Sequence, residues 1–188
     1  IDSSLVNFFH ILRNNSEEIC KKLSLTPYAE EEFESSLNST SADPVEQARV
    51  FFIKSRQSIG GRGEAFSYTL HRSRRGMADV VSGYLSAIDE ELPKIVERLR
   101  RVLITCAPAL KVINKYDSID TLYYLAPPYL HETRVSKAVY QHEMNETDHR
   151  LLSKVLHGIK GKCVLSGYPS DLYHSLYNDW KRLDFELP

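Results

Sequence analysis

The sequence predicts an α/β fold, in which a mainly helical region precedes the strands of a mostly parallel sheet. Two observations carry this prediction. Between residues 16 and 101 the apolar residues recur with helical spacing, interrupted by one segment rich in glycine and arginine. From residue 102 onward, short runs rich in β-branched and aromatic residues alternate with helical segments of about ten residues, as in parallel βαβ units.

The first helices are predicted from apolar spacing and capping residues. Apolar side chains at positions 5–12 fall on one helical face. Ser16 can cap a second helix that runs through Leu23, and residues 29–37 predict a weaker, acidic helix. A stronger start lies at 43–46, where an aspartate can accept from first-turn amides, a proline fits the first helical position and a glutamate can complete a capping box.

A glycine-rich loop interrupts this helical region. Three glycines within residues 60–63 end the helix. Residues 65–70 alternate in the manner of a short strand or an extended arm. Two further helices are predicted at 77–88 and 93–101.

The second region has its candidate site at the ends of predicted strands. The strands are predicted at 102–105, 121–125, 161–166 and 182–187, and the helices at 109–115, 145–159 and 170–179. Ligands of open parallel sheets bind beyond the carboxyl ends of the strands. Two segments lie at such ends, Ala126-Pro127-Pro128-Tyr129 and Ser166-Gly167-Tyr168.

Composition limits the class of protein. With 188 residues and 42% hydrophobic residues, the chain predicts one domain, or one domain with an inserted subdomain. No apolar run approaches the roughly 18 residues of a membrane span, and the first residues lack the basic region of a secretory signal. Three cysteines without metal-ligand spacing predict buried thiols in a cytoplasmic protein.

The charge is unevenly distributed, although the net charge is only −1. Residues 49–75 contain seven basic residues and one acid, a local charge of +6. Such a segment indicates either a contact surface for an anion such as DNA or a solvated basic loop. The candidate DNA-binding residues are Arg56, Arg62, Arg72, Arg74 and Arg75, because arginine suits bidentate contacts to phosphate and guanine.

The proline pair at 127–128 predicts a rigid corner. Two prolines remove two amide donors and hold φ near about −65°, and Ala126 before them is extended. The corner would expose the carbonyls of residues 126 and 127 to the amino group of an aromatic base, and Tyr129 offers a face for stacking. The alternative is a proline-rich turn after a core strand, and Pro-Pro-Tyr alone favours that alternative.

The surrounding sequence resembles a known family. Residues 124–134 resemble the phage and bacterial DNA adenine methylases, which carry Asp-Pro-Pro-Tyr where this chain has Ala126-Pro127-Pro128-Tyr129. Further segments that resemble this family are 5–9, 55–63, 75–78, 140–144, 148–149, 164–168, Leu172-Tyr173 and Trp180.

The resemblance implies a partial Rossmann-like methyltransferase sheet with a mainly helical target-recognition insert. Residues 1–15 would be a helix of the catalytic domain, 16–101 the insert and 102–188 the C-terminal half of the catalytic domain. The family transfers a methyl group from S-adenosylmethionine to the 6-amino group of an adenine flipped out of duplex DNA. Ala126, Pro127, Pro128 and Tyr129 would then stand at the catalytic positions.

Two departures from the family pattern matter. Ala126 replaces the catalytic aspartate, and its methyl group cannot accept a hydrogen bond. The family's glycine-rich cofactor loop is not found, because Gly60-Gly61-Arg62-Gly63 lies in the basic segment and does not follow a strand. The ribose-binding acid of the family would precede Ile1, so Asp2, its downstream neighbour, is the cofactor-binding candidate.

These departures predict a truncated, inactive adenine methyltransferase of bacterial, archaeal or phage origin that does not bind S-adenosylmethionine alone. The alternatives are a non-catalytic DNA-binding or regulatory relative, and one half of a split methylase. The expected partners are duplex DNA and either an N-terminal cofactor-binding segment or a chain that supplies it, without a membrane.

Other polar residues near the corner are weaker candidates. His131, Glu132 and Arg134 could order a loop over the flipped base or be solvated. The pair His142-Glu143 together with His149 lacks the spacing of a helical metal motif, so no metal site is predicted.

Overall fold

The computed structural model describes residues 2–72, 76–134 and 142–185, and there the chain is mixed α/β, mostly helical, with a two-stranded parallel sheet. Backbone contacts divide the chain into two units, which we call the helical unit (Asp2–Cys106) and the sheet unit (Ala107–Pro188). The predicted α/β class is therefore confirmed. The assignment of 1–15, 16–101 and 102–188 to parts of a methyltransferase stays a prediction.

The helical unit begins its helices largely where capping residues predict. Asp2 caps the first helix, and Asp43 caps the fourth by accepting from the amides of Val45 and Glu46. Glu46 does not complete the predicted capping box, because its carboxylate binds Arg49 instead. The elements are α1 (Ser3–Asn14), α2 (Ser16–Ser24), α3 (Glu30–Leu37), α4 (Pro44–Arg56), a 3₁₀ turn (Ile59–Gly61), α5 (Asp79–Ser86), a π-helical turn (Ala87–Glu91) and α6 (Leu92–Leu99).

The core of the helical unit is closed and partly aromatic. The rings of Phe8 and Phe52 stack with centroids 5.9 Å apart, and Phe52 meets Tyr84 at 5.7 Å. Leu12 and Ile19 are fully buried in the same cluster. Helix α1 thus packs on α4 within this unit.

A π-helical turn joins α5 to α6, where the sequence predicted two separate helices. Pro93 lies in the first turn of α6. Proline has no amide, and its ring would clash with the carbonyl of Asp89 four residues earlier in a regular helix. The wider π turn relieves this clash and lets the helix continue.

One segment predicted as a strand in the helical unit, 102–105, is not a strand, and residues 65–70, predicted as a short strand or an extended arm, are an arm. Residues 65–70 form an extended arm that pairs only at Phe66, in an isolated bridge with Ser58. Residues 102–105 alternate in burial, and Val102 and Ile104 pack on the helical core, but they have no strand partner within the described ranges. The sequence does not show that residues 102–105 lack a backbone partner, because strand pairing depends on a segment that is distant in sequence.

The sheet unit follows the predicted βαβ order. Its elements are α7 (Ala109–Tyr116), β1 (Leu122–Leu125), a 3₁₀ turn (His131–Thr133), α8 (Glu146–Leu156), β2 (Lys162–Leu165) and α9 (Asp171–Leu176). Strands β1 and β2 pair in parallel, with Leu122 opposite Lys162 and Leu125 opposite Leu165. Asn145 and Asp148 form the predicted capping box at the start of α8.

Among the described residues, the two faces of the sheet differ in how far they are covered. Tyr123 packs against α7 and α8 and donates its hydroxyl hydrogen to the Ile113 carbonyl, 2.8 Å away. On the opposite face Leu122, Tyr124 and Val164 are 68%, 73% and 52% exposed. The strand predicted at 121–125 therefore exists, but its side chains on this face are exposed.

Two further sequence predictions differ from the structure. Residues 182–185 of the predicted last strand are exposed and are not part of a strand, and the remainder, 186–188, lies outside the described residues. Cys106 is exposed rather than buried, whereas Cys20 and Cys163 are half-buried and burial raises the pKa of both thiols. Within the described ranges, no helix combines the length and the apolar character needed to cross a membrane.

Candidate functional site

The predicted corner lies beside the end of the neighbouring strand. Because β1 and β2 run in parallel, Ala126–Tyr129 and Ser166–Tyr168 leave the sheet at the same edge. The amide of Ser166 donates to the Leu125 carbonyl at 2.9 Å, which extends the pairing by one residue. The rings of Tyr129 and Tyr168 meet edge to face, with centroids 4.9 Å apart and planes at 75°. The two sequence candidates at strand ends thus form one aromatic site.

Burial increases along the corner from Ala126 to Leu130. Ala126 is exposed, the two prolines and Tyr129 are half-buried, and Leu130 is buried. Since neither proline has an amide, the corner offers carbonyl acceptors without competing donors at these two positions. The methyl group of Ala126 adds no acceptor of its own.

A buried histidine lies behind the corner. His149 of α8 is fully buried, and its Nδ1 is 3.1 Å from the hydroxyl oxygen of Tyr173 on α9. Burial lowers the pKa of His149, whereas Asp148 and the carbonyl of Pro128 act in the opposite direction. Nε2 of this ring is buried and makes no hydrogen bond to any residue that the structure describes.

Tyr173 connects this histidine to the second strand end. A Cβ placed on Gly167 would lie 2.4 Å from the Tyr173 ring, so only glycine allows the ring to pack there. Burial raises the pKa of Tyr173, which keeps its hydroxyl protonated. Tyr173 therefore connects the buried histidine of α8 to the segment that follows β2.

Sequence reasoning missed this layer because it weighed His149 for a metal site, rejected that site, and did not consider the histidine as a core residue. The available signal was its position on α8. His149 precedes Leu152 by three residues and Leu156 by seven, which places all three on the buried face of one helix. A polar ring on such a face requires a buried partner.

The loop after the corner is tied to the segment before α8. Arg134 donates two hydrogen bonds to the carboxylate of Glu143, at 3.1 and 2.7 Å, and His131 lies 3.9 Å from the same carboxylate. An open cavity of about 550 Å³ lies beside this loop and is lined in part by Leu130, Glu132 and Arg150. The loop is thus ordered by an ion pair.

No metal site emerges around these residues. His142 is exposed, Glu143 binds Arg134, and His149 is buried against Tyr173. Within the described ranges, no three histidine, cysteine, aspartate or glutamate side chains are arranged to hold a metal ion.

Part of the basic segment is neutralised inside the helical unit. Arg49 binds Glu46 at 2.7 Å and also pairs with Glu32, and the hydrogen bond that Arg49 donates to Glu46 is the main reason that its pKa is raised. Arg56 pairs with Glu91 at 2.8 Å. Among the cations of this segment that the structure describes, Arg49 and Arg56 therefore have acidic partners, which the linear count of charge did not reveal.

Of the remaining arginine candidates, the structure describes Arg62 and Arg72. Arg62 and Arg72 are exposed, and Arg72 donates a long hydrogen bond of 3.5 Å to the Gly76 carbonyl. Arg74 and Arg75 lie outside the described residues.

The residues considered for a cofactor do not fit S-adenosylmethionine. The carboxylate of Asp2 accepts from the amides of Ser4 and Leu5, at 2.9 and 3.1 Å, and so serves α1. The glycine loop follows helix α4, with positive φ at Gly60 and Gly61, and its turn is closed by a hydrogen bond from Gly63 to Ser58. A nucleotide loop instead connects a strand to a helix N-terminus.

The comparisons with known proteins do not assign the chain. No known family model matches it, and the curated proteins searched contain no significantly similar sequence. The functional argument therefore rests on the residues and on their geometry.

Proposed function

We propose that this chain carries the base-binding corner of an adenine-specific DNA methyltransferase in a form that does not transfer the methyl group. The observation that carries the proposal is the juxtaposition of Tyr129 and Tyr168 at the ends of two parallel strands, directly after the proline pair. A site of this kind suits a planar base with an exocyclic amino group.

The chemistry of the corner supports such a ligand. Carbonyl oxygens at 126 and 127 can accept hydrogen bonds from an amino group, and the tyrosine ring can stack on the base. An enzyme that modifies a base within duplex DNA must first extrude it from the stack. A rigid corner at an open sheet edge is accessible to an extruded base.

Ala126 is the reason for proposing that methyl transfer does not occur. Loss of a preorganised polar contact to the reacting group typically reduces the rate by a factor of about 10² to 10³. The exposed position of Ala126 leaves room for a carboxylate, so Ala126→Asp is a practical test.

The uncovered sheet face favours a second candidate, a methylase completed by another segment or chain. Parallel sheets are ordinarily covered on both faces, yet Leu122, Tyr124 and Val164 are exposed here. The finer fold that we propose is accordingly part of a Rossmann-like methyltransferase sheet. A non-catalytic DNA-binding relative remains the alternative that Ala126 favours.

DNA contact is proposed for the exposed part of the basic segment, with Arg62 and Arg72 at its centre. Both side chains are exposed, whereas Arg56 already pairs with Glu91. Neutralising phosphates releases counterions, so each lost phosphate contact should reduce the salt dependence of binding by about 0.9 in log–log slope.

The corner is tested with a labelled duplex in which one adenine faces an abasic site, since an unpaired base is extruded at little cost. Tyr129→Ala should weaken binding by roughly 5- to 150-fold, which corresponds to a stacking contact of about 1–3 kcal/mol. Tyr124→Ala is the matched control, because Tyr124 lies in β1, shortly before Tyr129 in the chain, and its side chain is on the exposed face of the sheet. Equal effects of the two substitutions would refute the base site.

Catalysis is tested with labelled S-adenosylmethionine and mixed-sequence duplex DNA. The unmodified chain should transfer no methyl group, and titration calorimetry should detect no low-micromolar cofactor affinity. Robust transfer by the unmodified chain would show that Ala126 does not disable the site. The Ala126→Asp variant should bind adenine opposite an abasic site more tightly, even where no transfer occurs.

The DNA surface is tested by salt titration of binding. Replacing Arg62 and Arg72 by alanine should lower the salt slope by about 1–2. Lys94→Ala is the control, because Lys94 is an exposed cation of the helical unit outside the basic segment. An unchanged slope in the double variant would place the DNA contact elsewhere.

A further inference from the structure

We propose that Tyr168 is a positioning residue, whose ring holds the ring of Tyr129 in the orientation in which Tyr129 stacks on a base. This inference rests on the proposed function, because it gives the two tyrosines of the aromatic site different tasks. Tyr129 touches the base, and Tyr168 acts through Tyr129.

The ring of Tyr129 is not oriented by the corner alone. The two prolines restrict the backbone before it, but its side chain still has staggered positions to choose from about χ1. The residue is also only half-buried. A side chain that becomes ordered only when its ligand arrives weakens binding, because the freedom it loses opposes association. A contact that fixes the ring in advance therefore favours base binding.

Tyr168 provides such a contact. The two ring centroids are 4.9 Å apart and the planes meet at 75°, an edge-to-face arrangement that aromatic pairs prefer. Whichever ring presents its edge, Tyr168 leaves at least one face of Tyr129 uncovered. The contact can thus orient the Tyr129 ring without closing both of its faces to a flat ligand.

The backbone on both sides of Tyr168 is restrained. Before it, the Ser166 amide donates to the Leu125 carbonyl at 2.9 Å, which ties the segment to β1. After it, Pro169 restricts the backbone of Tyr168 to extended conformations. Tyr168 therefore reaches Tyr129 from a fixed position.

The Tyr173 ring fixes the residue between them. Gly167 packs so closely on this ring that a Cβ has no room. The Tyr173 hydroxyl oxygen lies 3.1 Å from Nδ1 of the fully buried His149, and the Tyr173 amide donates to the Ser170 hydroxyl at 3.1 Å. A continuous series of contacts thus runs from the interior of the sheet unit, through Tyr173 and Gly167, to Tyr168.

The orientation of the ring is tested first by NMR on the full chain, without DNA. Three-bond couplings from Cγ of Tyr129 to its own amide nitrogen and carbonyl carbon report χ1. They should show one rotamer in the unmodified chain and in Tyr168→Phe, which keeps the ring. In Tyr168→Leu, which removes the ring, they should show averaging among rotamers. A single Tyr129 rotamer in Tyr168→Leu would overturn the proposal.

The consequence for binding is tested with the duplex in which one adenine faces an abasic site. Tyr168→Leu should weaken binding by about 2- to 12-fold, the range expected for one edge-to-face aromatic pair. Tyr168→Phe should retain most of the affinity, and an equal loss in this variant would contradict a role for the ring. Tyr116→Leu is the matched control and should bind as the unmodified chain does, because Tyr116 is 38% exposed and Tyr168 40%.

A double-mutant cycle separates positioning from direct contact with the base. If Tyr168 acts through Tyr129, the double variant Tyr129→Ala/Tyr168→Leu should bind no more weakly than Tyr129→Ala alone. Additive losses would show that Tyr168 contacts the base itself, which would refute the positioning role. Urea denaturation followed by Trp180 fluorescence verifies that each variant is folded under the conditions of the binding assay.

Failure of the inference and failure of the proposed function give different results. If the unmodified chain does not bind the extruded adenine, or if Tyr129→Ala binds it equally well, the proposed function fails and the recognition role of Tyr168 fails with it. If Tyr129→Ala weakens binding but Tyr168→Leu does not, the base site stands and only the positioning role is refuted.

Discussion

The helical unit and the sheet unit bury their apolar residues to different extents. In the helical unit, Leu12 and Ile19 are fully enclosed by helices and aromatic rings. In the sheet unit, Tyr123 is buried, but Leu122 and Tyr124 on either side of it are exposed. The helices of the first unit enclose its apolar core, whereas the described residues of the second unit bury one face of its sheet and leave the other exposed.

The two units also differ in how they use their polar and aromatic side chains. In the helical unit, the cation Arg49 forms ion pairs with Glu32 and Glu46 and so joins α3 to α4. In the sheet unit, Tyr129 and Tyr168 meet at the strand ends, and Tyr173, which is hydrogen-bonded to His149, packs on Gly167. Core substitutions should therefore lower stability in either unit, whereas the proposed recognition functions involve the corner of the sheet unit and the exposed Arg62 and Arg72 of the helical unit.

The largest expected effect is a cavity in the helical core. Leu12→Ala should lower the free energy of unfolding of the helical unit by about 2–5 kcal/mol, because a fully buried side chain leaves an unfilled cavity. Urea denaturation followed by circular dichroism measures it. Leu25→Ala, at a position 76% exposed, should change the free energy by less than about 0.5 kcal/mol. Similar losses in both variants would contradict a closed core.

The next largest effect is expected at Gly161, which directly precedes β2 and packs closely against Thr121. A Cβ on Gly161 would lie 2.6 Å from the Thr121 carbonyl oxygen, so Gly161→Ala should destabilise the sheet unit by about 1–3 kcal/mol. Trp180, the chain's one tryptophan, belongs to the sheet-unit core and reports its unfolding by fluorescence. Gly158→Ala is the control, since its Cβ would make only ordinary contacts at 3.5 Å. If Gly161→Ala left the free energy of unfolding unchanged, the backbone at Gly161 and Thr121 would have to move apart at little cost.

Sequence patterns predicted helices better than strands in this chain. Caps such as Asp43 and Asn145 are local signals, and the helices that they begin were predicted to within a few residues. A strand requires a partner that is distant in sequence. Residues 102–105 alternate as a strand would, but without a neighbour they only pack their apolar side chains on helices.

The strand-end site could be predicted in part. Two segments that follow predicted parallel strands must meet at one edge, and Tyr129 and Tyr168 do. The buried layer behind them could not be predicted, because the proximity of Tyr173 to Gly167 and His149 depends on how α9 packs. The pairing of Arg56 with Glu91 was equally hidden, since 35 residues separate them.

Two histidines of the sheet unit should give stability opposite dependences on pH. Burial lowers the pKa of His149, so the unfolded state binds more protons and stability falls as pH decreases through the ordinary histidine pKa of about 6.5. The Ser153 carbonyl and then Asp179 raise the pKa of His157, so its contribution is present below about pH 6.5 and is lost as pH rises through the raised value.

The measurement compares urea midpoints from about pH 5 to pH 8, where histidines titrate. His149→Gln should weaken the loss of stability on acidification, and His157→Gln should steepen it. His157 also lowers the pKa of Asp179, so that pair adds a contribution which is lost only when pH falls below the ordinary aspartate range. Parallel pH profiles for the two variants would contradict the assigned environments.

The smallest expected effects come from exposed ion pairs, one in each unit. Arg56 pairs with Glu91 at 2.8 Å and Arg150 with Glu146 at 2.6 Å, and all four side chains are 42–62% exposed. Solvent screens such pairs and their long side chains lose entropy when held, so Arg56→Ala and Arg150→Ala should each cost less than about 1 kcal/mol and less still at high salt. Equal losses in the free energy of unfolding for the two variants would indicate that the units differ in their cores and not in their surface ion pairs. Urea denaturation at low and high salt provides the measurement. A clearly larger loss for Arg56→Ala would instead show that its pair with Glu91, together with its position 5.9 Å above the Phe52 ring, fastens the π-helical turn to α4.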